Sequence, residues 1–112
     1  MTIFKFISTK NLLISRGYIN LMKARASVNF RGKVQGVFFR ANTRDAALRF
    51  GVLGWVKNLR DGSVGATFEG EKEDIDRLIQ WCKTKQPHAR VDSVDVNWED
   101  YKGEFHRFEI RY

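Results

Sequence analysis

Polar and apolar residues alternate strictly over residues 24–31. Ala24, Ala26, Val28 and Phe30 fall on one side and Arg25, Ser27, Asn29 and Arg31 on the other, as in a strand with one buried face. Beyond a Gly-rich bend, Phe39, Thr43, Ala46, Ala47 and Phe50 recur at helical spacing, and Gly51 stands where a helix end favours a left-handed residue. This predicts a helix over about 40–50. Two β-favouring runs, Leu53 to Asn58 and Ser63 to Glu69, flank Asp61-Gly62 and predict an antiparallel hairpin. Ile75, Leu78, Ile79 and Cys82 then form an i, i+3, i+4, i+7 stripe behind the acids Glu71, Glu73, Asp74 and Asp76, which complement a helix N-terminus. A second helix over about 72–84 follows, closed off by Pro87. Val94, Val96 and Trp98 alternate with Asp95, Asn97 and Glu99, and Phe108, Ile110 and Tyr112 alternate at the C-terminal end, so both stretches read as strands.

The order β-α-β-β-α-β with a short extra C-terminal strand is the split βαβ pattern of a ferredoxin-like α/β sandwich. The expected fold is thus α+β, an antiparallel sheet with two helices on one face. No repeat or linker interrupts residues 23–112, which are expected to form one cooperative domain. Residues 1–22 differ: they are basic, contain no acid and lack the pattern of a secretory signal. This leader is expected to be disordered, or to reflect an upstream start codon with initiation at Met22. An organelle presequence and an amphipathic surface segment are the other readings. The start-codon reading is favoured, because the first strand begins directly after Met22.

Composition narrows the functional classes. A chain of 112 residues has room for one core, and 43% hydrophobic with 29% charged residues excludes wholesale disorder. No apolar run approaches the ~18 residues of a membrane span, so no membrane partner is expected. The lone Cys82 cannot form an intrachain disulfide, and two histidines, His88 and His106, cannot complete a standard zinc set. A reducing, cytoplasmic setting and the absence of a metal are therefore expected. The net charge of +7 favours anions. Three of the basic residues, Lys5, Lys10 and Arg16, lie in the leader, and in the rest of the chain bases and acids are interspersed rather than clustered in a stripe. That pattern argues against nucleic acid as the main partner.

The informative stretch is Gly32-Lys33-Val34-Gln35-Gly36-Val37-Phe38-Phe39-Arg40, between the first strand and the first helix. Two glycines four apart permit a tight loop whose backbone N–H groups converge as an anion-binding nest. The helix start adds free N–H groups and a positive dipole end, and Arg40 can lay a planar fork across two oxygens of a bound anion. Such an array suits a dianionic phosphoryl group. The same residue types also fit a plain turn followed by a solvated arginine.

The GxVQGVxFR of residues 32–40, followed by Gly54-Trp55-Val56-Lys57-Asn58, Asp61-Gly62-Ser63-Val64 and Gly70, resembles the paired signatures of the acylphosphatase family. Tyr101-Lys102-Gly103-Glu104-Phe105 and Phe108-Glu109-Ile110-Arg111-Tyr112 resemble that family's ending, so the likeness spans essentially residues 23–112. It implies metal-independent hydrolysis of the carboxyl-phosphate bond of acyl phosphates to a carboxylate and inorganic phosphate, without a cofactor or covalent intermediate. It also implies a small-molecule acyl phosphate as partner and a monomer. By this resemblance the backbone N–H groups of Gln35, Gly36, Val37, Phe38 and Phe39 form the phosphate loop. Arg40 becomes the essential arginine and Asn58 the residue that orients water.

The remaining chemistry-bearing residues read more plainly. Cys82 belongs to the apolar stripe of the second helix and is expected to pack in the core, as are Trp55, Phe38 and Phe39. His88 and His106 are expected at the surface, and Lys57 on the sheet face opposite to Asn58. The competing reading is a non-catalytic ferredoxin-like module that binds an anion or nucleic acid, since one fold hosts many functions. Such a module has little use for Asn58 at the end of a neighbouring strand. An RNA-reading sheet would present aromatics on its open face, where the third strand offers Ser63, Gly65 and Thr67.

Overall fold

The computed structural model describes residues 22–112, so the expectations for residues 1–22 lie, Met22 apart, outside the described residues. The elements follow the order β1 (Lys23–Lys33), α1 (Phe39–Phe50), β2 (Leu53–Asn58), β3 (Val64–Glu71), α2 (Lys72–Thr84), β4 (Arg90–Glu99) and β5 (Phe108–Arg111). The strands form one sheet in the order β4-β1-β3-β2-β5. Four of them pair antiparallel, as the hairpin and alternation signals require. The fifth corrects the expected all-antiparallel sheet: β5 lies parallel to β2, with Val56 opposite Ile110, which makes the sheet mixed. Residues 100–107 carry the chain from β4 at one edge to the far side of β2, and this long return permits the parallel direction that a tight hairpin would forbid.

The core lies between the sheet and the two helices. Ala26, Val28 and Phe30 of β1 pair with Phe68, Ala66 and Val64 of β3, and all six are buried. From the helix side come Phe39, Thr43, Ala46 and Ala47 of α1 and Ile75, Leu78, Ile79 and Cys82 of α2; the helical spacing selects these and also Phe50, which is only half-buried. Gly51 closes α1 in the left-handed conformation. Burial pushes the Cys82 thiol up to about 11 although Thr43 and Gln86 offer it hydrogen bonds, so it stays protonated and packs as a small hydrophobe. Gln86 joins the helices, its Nε2 donating to Phe39 O at 3.1 Å and to Thr43 Oγ1 at 2.8 Å.

The opposite sheet face is polar and carries one buried ionic cluster. Glu69 is only 2% exposed, and its carboxylate accepts N–H groups from Lys102 (2.8 Å), Gly103 (3.2 Å) and Glu104 (3.1 Å) and a hydrogen bond from Arg25 (3.2 Å). Arg25 also bridges Glu104 at 2.6 Å and Glu99 at 3.2 Å. Three successive N–H groups around one carboxylate make a nest, and it fixes the 100–107 return across the sheet, hence the place of β5. Trp55, expected in the core, instead lies half-buried on this face beside Thr67, with the Arg111 guanidinium 5.0 Å from its ring centroid. Strand alternation sends Val56 inward and Trp55 outward, and the long charged side chain supplies the cover that a core would have supplied.

Burial pushes the Glu69 carboxyl up, but the hydrogen bonds of Lys102, Arg25, Glu104 and Gly103 outweigh it and hold the group below its ordinary range. A carboxyl lowered in this way contributes stability that is complete above its unfolded value near 4.3 and is lost as pH falls through the folded value. Glu69→Gln should therefore destabilise the fold by about 3 kcal/mol at pH 7, with the deficit shrinking between pH 5 and pH 3. Urea unfolding of both proteins at several pH values checks this. An equal deficit at every pH would contradict it.

Candidate active site

The segment joining β1 to α1 begins with a defect in pairing. The β1–β4 register shifts between Arg31 and Gly32, and a Cβ at Gly32 would lie 2.2 Å from Arg90 O, so only glycine lets the chain leave the sheet this close to β4. Gly36 has φ 75° and Phe38 φ 62°, and these left-handed residues wrap the backbone into a tight turn before α1. The first bond of the helix is Asn42 N–H to Phe38 O at 3.0 Å. Among the described residues no hydrogen bond takes up the N–H groups of Gly36 to Arg40. The positive end of the α1 dipole adds to the field of these donors.

Five of the seven candidate site residues line one open cavity of about 300 Å³: Gly36, Phe38, Phe39, Arg40 and Asn58, together with Val34, Ala41, Ile110 and Tyr112. Arg40 stands in the first turn of α1 and enters none of the ion pairs among the described residues, which leaves its guanidinium charge unneutralised by a carboxylate. Its Cζ lies 4.9 Å from the centre of the Tyr112 ring. Asn58 ends β2 on the same face as the buried Val56, whereas Lys57 is exposed. The parallel register of Val56 with Ile110, continued by two residues, brings Asn58 beside Tyr112.

The side chains of Gln35 and Val37 turn away from the cavity. Val37 is 7% exposed and belongs to the core. Gln35 Nε2 donates to Leu59 O and to Ser63 O, both at 2.8 Å, and so fastens the loop to the β2–β3 turn immediately beyond Asn58. That turn is tied internally by Leu59 N–H to Ser63 O (2.9 Å), Gly62 N–H to Leu59 O (3.1 Å) and the Ser63 N–H and hydroxyl on Asp61. Hydrogen bonds from Ser63 hold the Asp61 carboxyl below its usual range against desolvation, with a lesser contribution from the Arg31 charge.

A family model described as Acylphosphatase matches residues 26–110. Acylphosphatase from Pelotomaculum thermopropionicum is 49% identical over 92 residues, 82% of this chain and 100% of its own length. Acylphosphatase from Syntrophus aciditrophicus is 54% identical over 91 residues, 81% of this chain and 95% of its own. The chain belongs to the acylphosphatase family. The crystal structure of acylphosphatase from Bacillus subtilis superposes with a TM-score of 0.76 at 30% identity, covering 80% of this chain and 99% of that one. The ferredoxin-like fold and the hydrolase class follow with the family.

Three contributions to the site are not legible in the sequence. Phe38, expected in the core with Phe39, is 77% exposed at the mouth of the cavity, while Phe39 is buried against Phe30 with ring centroids 5.2 Å apart. Consecutive residues at a helix start point in different directions, so only one of the pair can enter the core. The left-handed backbone costs a bulky residue about 1–2 kcal/mol. Tyr112 and the Gln35 side chain were also missed. Tyr112 shares the alternation of Phe108 and Ile110, but its neighbour Asn58 emerges only once β5 is known to run parallel to β2. His88 and His106 are exposed as expected.

Each carbonyl that Gln35 engages also has a hairpin donor, so Gln35→Ala should remove hydrogen bonds without orphaning their partners. It is expected to destabilise the protein by about 1–2 kcal/mol. Gln35→Glu, which sets a carboxylate against two carbonyl oxygens, should cost more. Thermal unfolding of the three proteins tests this, and equal melting temperatures would remove the proposed role of Gln35 as a tie.

Proposed function

We propose that this chain hydrolyses the carboxyl-phosphate bond of acyl phosphates, releasing a carboxylate and inorganic phosphate, at the cavity formed by the Gln35–Phe39 loop, Arg40 and Asn58. The observation that carries the reading is that free loop N–H groups, an unpaired guanidinium and a neutral amide face one small space. In this reading the N–H groups of Gln35, Gly36, Val37, Phe38 and Phe39 cradle the phosphoryl oxygens and Arg40 binds two of them as a fork. Donors already aimed at the anion stabilise charge without reorganising during the reaction. Asn58 holds the attacking water, and an uncharged amide does so without repelling the dianion as a carboxylate would.

Water oxygen bonds to phosphorus as the bond from phosphorus to the acyl oxygen breaks, and that electron pair leaves on the carboxylate. A carboxylate is a weak base, so its departure needs no proton donor. A phosphoryl oxygen takes the proton lost by water. Positioning and charge stabilisation then suffice, and the reaction is proposed to be metal-independent. Action as a monomer is part of the same proposal. A buried, protonated Cys82 and the lack, among the described residues, of a helix long and apolar enough to cross a membrane fit the proposed cytoplasmic setting.

Hydrolysis of an acyl phosphate in the presence of a chelator should fall by on the order of 10³ in kcat/KM for Arg40→Ala, with little recovery in Arg40→Lys. Asn58→Ala should lose roughly 10²- to 10³-fold, mostly in kcat, while inhibition by inorganic phosphate stays near the wild-type value. Near-normal turnover by a folded Arg40→Ala protein would sink the assignment. A fall in melting temperature without loss of turnover in Asn58→Ala would reduce Asn58 to a turn residue.

A further inference from the structure

Gln86 lies outside the proposed site and lines no part of its cavity, yet its side chain reaches the residue next to Arg40. It follows Lys85, whose N–H closes α2 on Trp81 O at 2.8 Å, and precedes Pro87, so its backbone is held from both sides. Only 7% of the residue is exposed. From there Nε2 donates to Phe39 O at 3.1 Å and to Thr43 Oγ1 at 2.8 Å.

The fold does not need these bonds. Phe39 O receives the Thr43 N–H within the ladder of α1, and the Thr43 hydroxyl has Cys82 Sγ at 3.5 Å. A methionine would fill the same space without polar atoms. The amide instead carries a liability, since Gln86 Oε1 is buried with no hydrogen-bond partner among the described residues. Turning the amide over would not remove it, because Oε1 would then face Phe39 O and the two donors would lose their acceptors.

A donor kept in the core at a cost in stability has its use where its acceptor leads. Phe39 O and Arg40 N–H belong to one planar trans peptide and point in opposite directions, so a bond that fixes the carbonyl also fixes the N–H. That N–H points out of the N-terminal end of α1 and is one of the group that no hydrogen bond takes up. A second bond on the carbonyl also polarises the peptide and strengthens its N–H as a donor.

Resting on the proposed hydrolysis, we infer that Gln86 is a positioning residue for the reaction, acting through the Phe39–Arg40 peptide to aim and strengthen the Arg40 N–H toward the phosphoryl group. Gln86 touches neither the substrate nor the attacking water. The backbone of Arg40 thereby joins its guanidinium as a second contact to the same anion, and the turn after α2 becomes part of the support of the site.

The test uses Gln86→Met and Gln86→Leu, which remove the donor and the orphaned oxygen together, so that either folded variant decides. The kcat/KM for benzoyl phosphate should fall about tenfold, less than the loss on deleting a donor outright, because the Arg40 N–H is still present but no longer held. The second reading is the backbone amide of Arg40 in NMR spectra at saturating inorganic phosphate. Its proton shift on binding should shrink in the variants while the shift of the Gly36 amide is kept. Either reading left at its wild-type value overturns the inference, whatever the melting temperature does, since a merely structural role would move stability alone. A wild type that leaves benzoyl phosphate uncleaved overturns the hydrolytic reading, and the inference with it.

Discussion

The Gln35 amide spans the gap between the loop that opens α1 and the turn that follows β2, donating to Leu59 O and Ser63 O at 2.8 Å each. Arg40 follows directly on the first of these segments, in α1, and Asn58 precedes the second, at the end of β2, so the amide adds a direct tie to the core packing that already brings them together. A reaction that depends on charge stabilisation by fixed dipoles loses its advantage if the two halves drift, because every ångström of slack has to be recovered during the reaction. Two hydrogen bonds from one planar group restrain both distance and orientation. The tied turn beyond Asn58, closed by the Asp61 and Ser63 contacts, gives those bonds a rigid anchor.

A second constraint acts from the opposite face of the sheet. The carboxylate of Glu69 gathers three consecutive N–H groups of the 100–107 return and the Arg25 guanidinium. This cluster lays β5 against β2 and carries Ile110 and Tyr112 to the cavity. It is a buried charge held by hydrogen bonds rather than by hydrophobic packing, so its partners are specific in number and direction. The site is therefore bounded on one side by a loop that Gln35 fastens and on the other by a strand that Glu69 places. The strain of Phe38 sits between them, in a backbone whose neighbours leave it little freedom to relax.

Elements with a strong period were legible from residue types alone. The stripes of α1 and α2 and the alternation of β1 placed their buried residues correctly except for the half-buried Ala24 and Phe50 at the element ends, and the Asp-Gly signal placed the hairpin, because each obeys a rule spanning only a few positions. The direction of β5 was not legible, since pairing of distant strands leaves no trace in local alternation. For the same reason the meeting of Tyr112 with Arg40 and the contact of Trp55 with Arg111 were hidden. Phe38 and Phe39 show a different limit: two adjacent aromatic residues have identical propensities, and only the left-handed turn decides which one enters the core. The gathering of Gly36, Phe38, Phe39, Arg40 and Asn58 was anticipated, through motif resemblance more than through physics. Asn58 in particular carries no local mark that separates it from an ordinary turn asparagine.

The most direct measurement is a titration of the protein with inorganic phosphate at constant ionic strength, followed by NMR of the backbone amides and the arginine side chains. The amides of Gly36 to Phe39 and the Arg40 guanidinium should shift together and saturate, and the response should be lost in a folded Arg40→Ala variant. Shifts that never saturate, or that spread over surface Lys and Arg while the Gly36 to Phe39 amides stay still, would contradict a preformed phosphoryl site in this loop.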